Sequence, residues 1–200
     1  AFVDGLDREA FAERALQGAR RYLPARVDLG DRPTIFLILL DGDGKALPDS
    51  IVVDAATLTV LSAPELLIGH EMHHYYREQI DRVQLGNVAE RDRAFVQMLI
   101  RLEEEGIADL IDKRDFVGSA AEREKQSQSP LMAWMWALYL EIYNNVPELI
   151  GELDAGLCAV AANPEMALSE GERLSERLLV LTGRPVGMFM ADTIEQASGR

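Results

Sequence analysis

Between Asp7 and Leu23, apolar residues return every three or four positions (Phe11, Leu16, Ala19, Tyr22 and Leu23) among charged ones, the pattern of an amphipathic helix. Pro24 and the run Asp28-Leu29-Gly30-Asp31 then mark a connection. Thr34 to Leu40 is continuous, apolar and partly β-branched, which predicts a buried strand. Asp41-Gly42-Asp43-Gly44 predicts a hairpin turn, and Ser50 to Asp54 a second strand that pairs with the first. Ser62-Ala63-Pro64-Glu65 has the form of a capping box, so a helix is expected from there to about Val83. After the break at Leu85-Gly86-Asn87, helical periodicity resumes from Val88 to about Lys113, with Phe95, Met98, Leu99, Leu102, Ile107 and Leu110 on its apolar face. Gly118 and the polar stretch from Glu122 to Pro130 separate it from a helix over Leu131 to Asn144. Pro147 and Pro164 punctuate the remaining chain, whose last helices cover about Ser169 to Leu181 and Val186 to Gln196. The expected class is α+β, mostly α, with a small N-terminal sheet.

Two hundred residues suit one domain, and an apolar share of 48% supplies a core. The 34 acidic side chains against 20 basic ones give a net charge of −14, with no Lys/Arg stripe to neutralise phosphates, so a nucleic-acid partner is not expected. The longest apolar run, Leu131 to Leu140, is too short to span a bilayer, so no integral membrane segment is expected. The compartment stays open between the cytoplasm and secretion after loss of a leader, and so does the oligomeric state. Cys158, in the apolar run Gly156-Leu157-Cys158-Ala159-Val160, reads as a buried small hydrophobe. Asp41-Gly42-Asp43-Gly44 opens like a calcium loop, but Lys45 stands at the fifth position and Val52 where a bidentate glutamate belongs.

The chemistry concentrates in one helix. All three histidines lie in His70-Glu71-Met72-His73-His74. The string is H-E-x-x-H, whose first and last histidines share a helix face and can bind one zinc ion while Glu71 reaches a metal-bound water. His73 lies off that face and is not expected to be a ligand. A zinc hydrolase usually supplies a third protein ligand and leaves one position for water. No histidine is left for it, which excludes the metzincin pattern and points to a carboxylate.

The favoured residue is Glu105, 31 positions beyond His74 on the next helix, ahead of Glu103 and Glu104. Gly106 beside it would let the two helices approach closely, and Asp109, one turn on, could orient a ligand histidine. A helical hairpin would bring these residues back to the histidines.

His70-Glu71-Met72-His73-His74 with Glu105-Gly106-Ile107-Ala108-Asp109 resembles the gluzincin metallopeptidases. Gly69 to Arg77 looks closest to uncharacterised bacterial families of zinc-dependent peptidases. The resemblance implies a zincin-like fold over one domain, 1–200, in which residues 1–118 hold the sheet and metal-site helices and residues 119–200 complete the cleft. It implies zinc held by His70, His74 and Glu105, Glu71 as general base, Asp109 behind a ligand histidine, and a peptide or protein substrate laid along a sheet edge. Gluzincins also place a Tyr or His donor at the oxyanion; here Tyr139 and Tyr143 are the candidates, with Arg184 a further one. Two other readings are weighed. One is a zinc- or peptide-binding relative with weak or no turnover. The other is a di-iron carboxylate bundle, which needs a second E-x-x-H that the chain has no histidine to build.

Overall fold

The computed structural model describes residues 5–25, 29–39, 44–80, 85–114 and 130–199. Two compact units divide the chain, Ala1–Arg82 and Val83–Arg200.

In the first unit, α1 (Arg8–Arg20) starts at Asp7, whose carboxylate accepts the backbone N–H of Ala10 at 3.1 Å. Next in the chain comes a three-stranded sheet: β1 (Thr34–Ile38), β2 (Gly44–Ala46) and β3 (Ser50–Asp54), in the order β1-β3-β2. Here the structure corrects the expected hairpin. β1 and β3 do pair, but in parallel, with Thr34 opposite Ser50 and Ile38 opposite Asp54. The reversal lies later, where the Leu47 N–H meets the Ser50 carbonyl at 2.8 Å and turns β2 back antiparallel to β3. β2 escapes sequence reading because Gly44, Lys45 and Ala46 are poor strand formers. Asp41 to Asp43 fall outside the described residues.

β1 is also less buried than its composition suggests. It lies at the sheet edge, so only Ile35 and Leu37 pack on the core, while Phe36 is 51% exposed. The central strand β3 is the one covered throughout, and its Asp54 caps α2 (Ala55–Val60) through the N–H and hydroxyl of Thr57 at 2.9 and 2.8 Å. α3 (Pro64–Gln79) begins with Ala63 as its N-cap and no side-chain cap, so the capping box does not form. Pro64 has no N–H to satisfy, and Glu65 instead accepts Arg14 of α1 at 3.2 Å. The core joins Phe11, Ala15, Leu16 and Ala19 of α1 to Ile51 and Val53 of β3 and Ile68, Met72 and Tyr76 of α3.

The second unit is helical: α4 (Arg93–Lys113), α5 (Pro130–Ala162), α6 (Ala167–Leu178) and α7 (Arg184–Ser198), with short 3₁₀ turns between. Its core joins Phe95, Met98 and Leu102 of α4 to Val146, Leu149 and Leu153 of α5, Leu174 and Leu178 of α6, and Val186 of α7. α5 runs on past Asn144, the expected end of this helix, and contains Pro147, which the sequence reading took as a break between helices. The proline removes one backbone donor and crowds the carbonyl of Tyr143, but burial of Val146, Leu149 and Leu153 on both sides outweighs that loss. Cys158 is exposed on α5, contrary to the buried reading: the helix turns Gly156 inward against Leu174, and Cys158 away. Gly118 and residues 122–129 lie outside the described residues. No helix among the described residues is long and apolar enough to cross a membrane.

Candidate metal centre

The stripe Ile68, Met72 and Tyr76 seats α3 in the first unit's core. Each residue turns the helix by about 100°, so His70 and His74 fall together on the side roughly opposite that stripe. Glu71 and His73 then flank the histidine pair at about 80° to either side. The structure shows the consequence. The Nε2 atoms of His70 and His74 converge to 3.2 Å, with the rings edge-on at 68°. Two nitrogens each about 2.0–2.1 Å from one tetrahedral zinc stand about 3.3 Å apart, so this donor pair fits the ion. The buried Glu71 carboxylate is next to it, with Oε1 3.9 Å from His70 Nε2.

Above Glu71 passes β2. A Cβ built at Gly44 would stand 2.9 Å from both Cγ and Oε1 of Glu71, so only glycine lets this strand run so close to the carboxylate. Sequence reading assigned Gly44 to a turn and missed this contact; a glycine directly after the acidic Asp41-Gly42-Asp43 segment was the available signal. With Glu71 as the general base expected from the sequence, Gly44→Ala should displace its carboxylate and lower kcat by about 10²-fold, since misplacement by roughly 1 Å has that effect. Because the atoms displaced belong to a side chain, the melting temperature should hardly move. Unchanged turnover would show that Glu71 tolerates the shift.

His73 is fully buried, and among the described residues neither ring nitrogen has a hydrogen-bond partner. Burial, then the neighbouring His74, His70 and Arg77, push its pKa down to about 3, so the ring is neutral and packs as part of the interior.

In the second unit, Glu105 is the buried member of the Glu103-Glu104-Glu105 run, and Glu103 is exposed. Arg184 Nε donates to its Oε2 at 3.0 Å and Arg101 Nη1 to its Oε1 at 3.2 Å. Arg101 was not singled out from sequence, although its spacing of four from Glu105 is the usual one for a helical ion pair. Gly106 does admit a close helix contact, but to Gly187 of α7: a Cβ there would lie 2.2 Å from the Gly187 carbonyl carbon.

Asp109 is completely buried. It accepts the Tyr139 hydroxyl at 2.9 Å and Lys113 Nζ at 2.6 Å. Burial, then Asp109, raise the Tyr139 pKa, so the phenol stays protonated and donates. Burial works against the charge of Lys113, yet Asp109 and Asp112 overcome it and hold the ammonium above its ordinary pKa. Tyr143 is engaged differently, with its ring edge-to-face with Phe189 at 5.6 Å; burial, then Asp192, raise its pKa.

Two converging imidazole nitrogens beside a buried carboxylate have the donor chemistry of a hydrolytic zinc site. The chain belongs to the family described as "Putative zinc dependent peptidase (DUF5700)", which it matches over residues 1–200. No curated protein and no solved structure matches it.

Proposed function

We propose that the protein is a peptidase in which His70, His74 and Glu105 hold zinc and Glu71 is the general base. The observation that carries this reading is the convergence of the two Nε2 atoms at 3.2 Å with the Glu71 carboxylate alongside. Glu105 enters on its burial and on the absence of a further histidine. Bound there, zinc would supply Lewis acidity toward a water and a carbonyl. Glu71 takes the proton of the attacking water and hands it to the leaving amine. Its placement next to Gly44 favours the β2 edge as the track for an extended peptide, held by main-chain hydrogen bonds. Tyr143, with its phenol protonated, is the proposed donor to the negative charge developing on the scissile carbonyl oxygen. Tyr139 acts one step back: its hydroxyl fixes Asp109, which orients a ligand histidine. The whole chain, 1–200, works as one zincin-like peptidase domain in this reading.

The test is direct. Purified protein should carry about one zinc per chain and cleave members of a peptide library. Phenanthroline should abolish cleavage, and added zinc should restore it. Zinc binding with no turnover of any peptide would leave a metal-binding relative and remove the enzyme reading.

A further inference from the structure

Arg184 occupies an unusual position. The two residues before Gly183, Leu181 and Thr182, have φ of 51° and 61°, and Gly183 has φ of 87°, so three successive residues adopt the left-handed conformation. For a leucine and a β-branched threonine this conformation is strained, and it persists only where the surroundings enforce it. They do so here. A Cβ at Gly183 would come within 2.9 Å of Leu102 Cδ2, so the turn is pressed onto α4 one turn ahead of Glu105. Four residues after Gly183, Gly187 meets Gly106 backbone to backbone and locks the start of α7 against α4 beside Glu105. The turn and the glycine crossing together fix where Arg184 can point, and its Nε lies 3.0 Å from Glu105 Oε2. The other carboxylate oxygen receives Arg101, whose side chain is 51% exposed and sits on an ordinary helical turn. One arginine is thus held by the fold and the other by the solvent-facing surface of its own helix.

We propose that Arg184 is a positioning residue for zinc binding: it anchors Glu105 through Oε2 so that Oε1 is presented to the metal. The proposal rests on the reading of Glu105 as a ligand. Arg101 in this scheme is an exchangeable surface partner of Oε1. The guanidinium suits the task because its planar fork fixes an oxygen in direction as well as distance, which a lysine ammonium does not.

The test is zinc affinity, measured by competition with a chromogenic chelator on the full chain. Arg184→Gln is expected to weaken zinc binding by about 10–100-fold, the usual effect of removing a group that orients a ligand. Arg184→Lys, which keeps the charge and the aliphatic stem, should lose part of that, and it serves as the readable variant if Arg184→Gln does not fold. Arg101→Gln should stay within about threefold of wild type. In cobalt-substituted protein, the visible d–d bands should change in Arg184→Gln and Arg184→Lys but not in Arg101→Gln, a signature that a purely structural ion pair would not produce. Unchanged or tighter zinc binding in both Arg184 variants, with Glu105→Gln losing zinc, would overturn the positioning role alone. Zinc binding at wild-type strength in Glu105→Gln would overturn the ligand reading beneath it.

Discussion

Glu71→Gln is expected to cut peptide hydrolysis by about 10²–10⁴-fold while zinc stays bound and the fold survives. The glutamine has nearly the same shape, so it fills the space between His70 and Gly44 without new strain. What it loses is the ability to take a proton from water. Glu71 is buried, so no bulk-solvent base replaces it easily. The effect should therefore fall on kcat, with KM nearly constant. Zinc content, melting temperature and peptide kinetics on one preparation check the three parts together. Turnover within about tenfold of wild type would remove Glu71 from the role of base.

The second large effect is structural. Gly106→Ala should destabilise the protein by about 3–5 kcal/mol, near the upper end for one substitution. A Cβ at Gly106 would sit 2.2 Å from the Gly187 carbonyl carbon and 2.4 Å from its oxygen. Those are backbone atoms, so no side-chain rotation relieves the overlap, and α7 must move off α4 as a body. Gly187→Ala meets the Leu102 carbonyl oxygen at 2.1 Å and should cost a similar amount. The double variant should cost much less than the sum, since one substitution already separates the helices. Gly151→Ala is the contrast: a Cβ there meets nothing within 4 Å, so better helix propensity should leave stability level or raise it by roughly 0.5–1 kcal/mol. Urea unfolding read by circular dichroism measures all four. A Gly106→Ala midpoint equal to wild type would mean the crossing can relax.

These cases show what sequence reading reaches. The histidine pair was legible because it depends only on helical period and on the core stripe Ile68, Met72 and Tyr76 on the other side. Helices α1, α4 and α7 were legible for the same reason, apart from their ends. The strand order was not, because β2 is three residues of weak propensity and nothing local tells a parallel from an antiparallel partner. The contacts of Glu105 divide in the same way. Arg101 lies one turn away and was readable in principle, whereas Arg184 is 79 residues distant and comes near only through the packing of α7 on α4. Pro147 misled because its local effect is real and tertiary burial overrides it.

The exposed position of Cys158 has a practical outcome. It is the sole sulfhydryl in residues 1–200. A disulfide formed at Cys158 by air oxidation therefore joins two molecules or caps the thiol with a small one, instead of closing a loop within residues 1–200. The same side chain is a ready-made single attachment point for a fluorophore on the second unit.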